Sequence, residues 1–527
     1  MRIKRPESGA DGKAGPHLPS RGLVLVCRDR EPVPVLDSAL SMTEPRTEPR
    51  STEPRTGSSQ HPSQGNGGPS PRAGDAAVEA RTALLKRASR AAIDYLEGAG
   101  ARAVQPSAEA VSKLSALRGP LPPGATNPEA VLRLLEEYGS PATMAKVSGR
   151  FFGFVTGDCL PAALAAAWLV SAWDQNAAHY AQSPVATELE QTALDWVREL
   201  AGLPEGTGGA VVTGATMANF SCLAAARHTL LERAGWDVDA DGLFGAPEIT
   251  VVVGQEVHQS VIKALGMLGL GRKRVVQVPV DGQGRMRADA LPKLDQRTIL
   301  CLQAGNVNTG AFDPAAAIAA PARASGAWIH VDGAFGLWAA CSPQYRPLTR
   351  GFELADSWAT DGHKWPNIGY DCGIALVREP SALRAAMSIR AAYLVDPEGR
   401  DPANYSPELS RRARGVELWA GLRSLGRQGM AALVERTSGH ARRFAEGLKA
   451  AGFEVLNEVV LNQVLVSFGD EQRTLRTIAR LKAEGTCWCG STVWQGKTAM
   501  RISVSSWATS EEDVERSLAA MVKAADE

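Results

Sequence analysis

The chain has 527 residues, 44% apolar and 22% charged, with 57 basic against 57 acidic side chains and a formal net charge of zero. That length exceeds the roughly 250–300 residues of a single core, so several packed units are expected. The balanced charge, with no long basic run, argues against nucleic acid as the main partner. No apolar run reaches the roughly eighteen residues of a membrane span.

Residues 1–76 carry Thr43-Glu44-Pro45-Arg46 and two further copies of that tetrapeptide, then a run rich in Ser, Gly, Pro and Gln. Such a segment buries too little apolar surface to offset its ordering entropy, so a disordered low-complexity tail is expected. Its one apolar patch, Leu23–Val26, is too short for a secretory signal. The eight cysteines are scattered and lack paired C-x-x-C spacing. They read as reduced, buried thiols of a cytoplasmic protein, with no metal site.

From residue 77 to about 145 the pattern is helical. Val78, Leu85, Ala88, Ala92 and Leu96 share one face, and Asn127-Pro128 opens a further helix as cap and first residue. Residues 146–405 form the expected large domain. Its strand-like runs are Gly209–Val212, Ile249–Val253, Arg274–Val280, Thr298–Gln303, Ala327–Asp332, Asp356–Thr360 and Gly373–Val377, separated by helical stretches. That alternation predicts an α/β fold with a mostly parallel central sheet, whose ligand sits beyond the carboxyl ends of the strands. Residues 406–527 read as a smaller α+β domain, with strands near Val459–Phe468 and Ala499–Ser505 and a last helix capped near Ser510.

Four segments carry chemistry. Asp332 ends an apolar strand, where an acid either caps the next helix or faces a cationic heteroaromatic nitrogen. Lys364, between His363 and Trp365, follows the next strand. A lysine desolvated there can offer a neutral amine to an aldehyde. Thr213-Gly214-Ala215-Thr216 turns from strand to helix, and the exposed amides with the Thr216 hydroxyl suit a phosphate. His258 lies between a strand and a helix; alone it reads as a structural histidine, and beside the other three as an imidazole stacked on a ring.

The ordered set His258, Asp332, His363-Lys364 resembles the pyridoxal-phosphate-dependent group II amino-acid decarboxylases, the family of aromatic-amino-acid, glutamate and diaminobutyrate decarboxylases. Ser183–Glu190, Gly305–Asp313 and Arg411–Trp419 extend the likeness from about residue 90 to the C-terminus. The resemblance implies PLP fold type I and a homodimer with the active site at the interface, residues 77–145 packing on the partner. It implies Lys364 as the Schiff-base lysine, Asp332 on the pyridine nitrogen, and His258 stacked on the ring. Ala215, Thr216 and His363 would bind the phosphate, with Asn308 nearby. Tyr393 falls where the family carries a mobile loop whose tyrosine protonates the product carbon.

The implied reaction converts an L-amino acid to its amine and carbon dioxide. An aldehyde synthase or a carbon–carbon lyase of the same fold is the alternative, and Tyr393 argues against the former. Gly153–Thr156 and Trp173–Tyr180 match regions that line the family's substrate pocket. Gln175 and Asn176, with the small Ala177 and Ala178, point toward a polar or acidic substrate, while tryptophan and tyrosine stay open.

Overall fold

The computed structural model describes residues 73–388 and 400–527. Most of the expected tail, and Tyr393, lie outside the described residues. Each of the seven anticipated runs is a strand: β1 (Gly208–Val212), β2 (Thr250–Gly254), β3 (Val276–Val278), β4 (Thr298–Gln303), β5 (Trp328–Asp332), β6 (Ser357–Asp361) and β7 (Gly373–Val377). They form one sheet in the order β1-β7-β6-β5-β4-β2-β3. Only β7 runs against its neighbours, so the sheet is largely parallel.

Both faces of this sheet are covered. Successive strand residues point to opposite sides, so Leu300, Leu302, Ile329 and Val331 pack on one face with Leu194 and Val197 of the helix Pro184–Leu200. Ile299, Cys301, Val253 and Trp328 pack on the other with Ala218 and Cys222 of the helix Ala215–Arg233. Double burial explains why these strands read as continuous apolar runs rather than as alternating ones.

A second sheet, ordered β10-β11-β9-β8, contains β8 (Glu454–Val455), β9 (Gln463–Ser467), β10 (Gly490–Trp494) and β11 (Lys497–Ser503). The sequence reading anticipates β9 and β11 but misses the two-residue β8 and also β10, an edge strand with Ser491 and Val493 exposed. Its hairpin signal is Gln495-Gly496, both at positive φ (47° and 81°) as a two-residue turn of this kind requires. The helix Arg414–Ala450 bends at Gly426 and serves two cores. Its Leu418 and Leu422 join the main core, and its Phe444 and Leu448 join the C-terminal one.

The expected caps are present: the Asn127 side chain accepts the Glu129 N–H at 2.8 Å, and Ser510 forms a capping box with Asp513. The N-terminal helix Ala73–Gly98 differs in one respect from an ordinary amphipathic helix. Val78 and Leu85 of its apolar stripe are 51% and 60% exposed, left uncovered by the other described residues.

Candidate active site

The carboxyl ends of β1, β2, β5 and β6 bring the chemical residues together. β5 and β6 are parallel neighbours, with Asp332 opposite Ala359, so Asp332 and the turn holding Lys364 leave the sheet side by side. Asp332 caps no helix. Its Oδ1 accepts the Ala334 N–H at 3.3 Å, and its Oδ2 accepts from Asn219 Nδ2 at 3.3 Å and Ser260 Oγ at 3.4 Å. Behind the Lys364 turn the fit is tight. A Cβ on Gly157 would lie 1.8 Å from the Lys364 carbonyl oxygen, so only glycine lets the two segments meet.

His258 is the N-cap of the helix Gln259–Met267, its Nδ1 accepting the Ser260 N–H at 3.2 Å. The same nitrogen lies 2.8 Å from Ser260 Oγ, a contact whose donor depends on the ring tautomer. Burial is the main cause that lowers its pKa, with Lys364 and Arg501 adding to burial and Asp332 and Asp361 opposing it. Burial likewise lowers His363. The Cys372 N–H donates to His363 Nδ1 at 3.3 Å, and the ring stacks on Tyr370 at 4.4 Å between centroids. Both imidazoles are therefore neutral near pH 7.

A cleft of about 430 Å³ is lined by Thr216, His258, Lys263, Asp361, His363 and Lys364, among others. Asp361, the last residue of β6, is a site residue the sequence reading passed over. Its Oδ2 lies 3.1 Å from Lys364 Nζ and 3.7 Å from His363 Nε2, and its Oδ1 accepts the Ala215 N–H at 2.6 Å. The Ala215 amide, expected to hold phosphate, is thus committed to Asp361. The available signal was an acid ending an apolar strand three residues before the lysine.

Arg501, which the motifs did not single out, lies within electrostatic reach of His258. Its Nη1 donates to the Val307 carbonyl and to Asn308 Oδ1, each at 3.4 Å. It pairs with no carboxylate among the described residues, and burial lowers its pKa. Asn308, expected beside the cofactor, also accepts from Thr492 Oγ1 at 3.0 Å. It faces the second sheet and Arg501. Gln175 Nε2 donates to the Trp173 carbonyl at 2.9 Å, while Asn176 accepts the Arg411 N–H at 3.0 Å and donates to Ser410 Oγ at 3.4 Å. Both amides are engaged in hydrogen bonds within the protein, which removes much of the reason for expecting a polar substrate.

The family model for the pyridoxal-dependent decarboxylase conserved domain matches residues 141–469. The chain belongs to that family. Similar relatives of this decarboxylase include tryptophan decarboxylase 1 of Oryza sativa subsp. japonica, 26% identical over 78% of this chain and 87% of the relative. The L-2,4-diaminobutyrate decarboxylase of Acinetobacter baumannii is 29% identical over 56% of this chain and 62% of the relative. In fold it is similar to Oryza sativa TDC crystallised with PLP and tryptamine, with a TM-score of 0.78, 23% identity and coverage of 85% of this chain and 98% of that one. Mouse CSAD in apo form gives a TM-score of 0.77 at 24% identity, with 85% and 99% covered.

The decarboxylase acts on an amino acid with pyridoxal phosphate as cofactor. Its donor set fits that group. The cleft offers the primary amines of Lys263 and Lys364, the Asp361 carboxylate, the imidazoles of His258 and His363, and the Thr216 position in the first turn of a helix for a phosphate. Gly214 lies in the turn before that helix, where a Cβ would come within 3.3 Å of His363 Cε1. The described residues contain no helix long and apolar enough to cross a membrane.

Proposed function

We propose that this decarboxylase holds its cofactor covalently through Lys364, sets Asp332 against the ring nitrogen, stacks neutral His258 on the ring, and binds the phosphate with Thr216 and His363. The observation that carries this reading is the convergence of Thr216, His258, His363 and Lys364 on one cleft at the ligand end of a parallel sheet, with Ser260, which bonds Asp332, also in its lining. When bound, the cofactor supplies the electron sink for the bonding pair left as carbon dioxide departs. Asp361 holds the Lys364 amine at 3.1 Å and so positions it over the cleft. Arg501, a half-buried cation with only neutral acceptors among the described residues, is the receptor for a substrate carboxylate.

Tyr393 is assigned delivery of the proton to the product carbon, by resemblance to the family. The substrate is an L-amino acid; a panel assayed for carbon dioxide release identifies which. A homodimer is proposed because the N-terminal helix and the helix Pro161–Trp173 both leave large apolar side chains exposed, Leu85 at 60% and Leu169 at 53%. The seven described cysteines are free thiols, which supports a reducing, cytoplasmic setting.

The direct test is Lys364→Ala. The variant should lose the visible absorbance of the loaded enzyme and its amine production together. A variant that keeps both would place the covalent attachment elsewhere.

A further inference from the structure

Below the cleft floor, buried polar groups form a continuous hydrogen-bonded chain. Trp328 Nε1 donates to Ser357 Oγ at 2.9 Å, and Ser357 Oγ lies 2.9 Å from His330 Nδ1. His330 Nε2 lies 2.8 Å from Asn219 Oδ1, and Asn219 Nδ2 reaches Asp332 Oδ2 at 3.3 Å. His330, Asn219 and Ser357 are all 0% exposed, and Asp332 is 4% exposed. The spacing has a simple origin. Residues 328, 330 and 332 alternate along β5, so all three side chains point to the face covered by the helix Ala215–Arg233, which contributes Asn219.

The polarity of this chain is set from both ends. An ionised carboxylate only accepts, so Asn219 must turn its Nδ2 toward Asp332 and its Oδ1 toward His330. His330 must then donate from Nε2. At the other end the indole N–H only donates, so Ser357 accepts from it and has its own proton to give to His330 Nδ1. The opposite polarity would set the Asn219 carbonyl oxygen against the Asp332 carboxylate, two acceptors facing each other in a dry interior, which is strongly unfavourable. Burial also pushes the His330 pKa down to about 4, which leaves the ring neutral at pH 7.

We propose that Asn219 and His330 are positioning residues for the decarboxylase reaction. They anchor Asp332 Oδ2, aim the carboxylate at the cofactor's ring nitrogen, and keep the proton shared between them on that nitrogen. This rests on the assignment of Asp332 to the ring nitrogen made above. The physical link is that a hydrogen bond donated to a carboxylate favours its ionised form. Loss of the Asn219 donor, or of the imidazole that orients it, therefore lets the shared proton move from ring nitrogen to carboxylate. The same residues tie the helix of the phosphate turn to the strand of the ring acid.

The test is nitrogen-15 NMR of the holoenzyme loaded with cofactor labelled at the ring nitrogen. The parent and His330→Gln, whose amide still donates to Asn219, should show a protonated ring nitrogen. Asn219→Leu and His330→Leu should shift that resonance toward the unprotonated range. Unchanged resonances in both leucine variants, alongside a shift in Asp332→Asn, would overturn the positioning role alone. An unchanged resonance in Asp332→Asn would instead overturn the assignment of Asp332. Should the leucine variants fail to fold, imidazole nitrogen shifts of the unaltered enzyme decide. A His330 protonated only on Nε2 supports the chain as drawn, and one protonated on Nδ1 or on both nitrogens overturns it.

Discussion

His330 also gives a stability signature of known sign. Its ring has a pKa of about 4 in the fold against an ordinary 6.5, so between those values the unfolded chain binds the extra proton. That contribution is fully present above about pH 6.5 and is lost as pH falls toward 4. His330→Gln, with no group to titrate, should therefore lose less stability than the parent across that window, by up to about 3 kcal/mol. Urea midpoints at both ends measure it, and parallel slopes for parent and variant would count against a buried neutral ring. Asp158 and Asp313 are raised by burial from 3.8 to about 6 and act with the opposite sign, so the comparison must be a difference between proteins. Tyr393→Phe is a second residue-scale test. If this tyrosine delivers the proton, amine yield falls and aldehyde rises in aerated solution; an unchanged amine-to-aldehyde ratio would assign the proton to another group.

Between elements, the buried pair Arg411–Glu190 joins the helix Pro184–Leu200, β1 and the segment leading into the long helix. Arg411 Nη2 lies 2.6 Å from Glu190 Oε2 and 2.7 Å from the Val211 carbonyl oxygen, with both side chains at most 1% exposed. Removing one member strands the other charge away from water. Arg411→Leu should cost about 3–5 kcal/mol, and adding Glu190→Leu should recover part of it. A double variant less stable than the single one would show that the pair is not the source of the loss. Elements were legible where burial is two-sided, because apolar runs such as Thr298–Gln303 are then continuous. β10 was not, since an edge strand tolerates exposed residues at alternate positions and its polar composition resembles a loop.

For the whole molecule, the uncovered apolar surface is the decisive feature. Trp168 and Leu169 on the helix Pro161–Trp173 are 43% and 53% exposed, and together with the open stripe of the N-terminal helix they favour a second copy of this chain as the cover. Leu169→Glu should shift the protein toward monomer in sedimentation velocity and lower activity with it, because the proposed homodimer carries its site at the interface. A variant that remains a fully active dimer would move the interface to another surface.

The sequence alone determined the seven strands of a mostly parallel sheet and the order of the motifs, because apolar periodicity and strand-end position are local properties of the chain. Tertiary structure decided the partners of those anchors. Asn219 lies 113 positions from Asp332 and 111 from His330, and Arg501 lies 193 from Asn308. Folding brings these groups into contact, and no local pattern announces a hydrogen bond between them. The same holds for Asn176, whose polarity was plain in the sequence but whose hydrogen bonds go to Ser410 and the Arg411 backbone, 234 and 235 positions away.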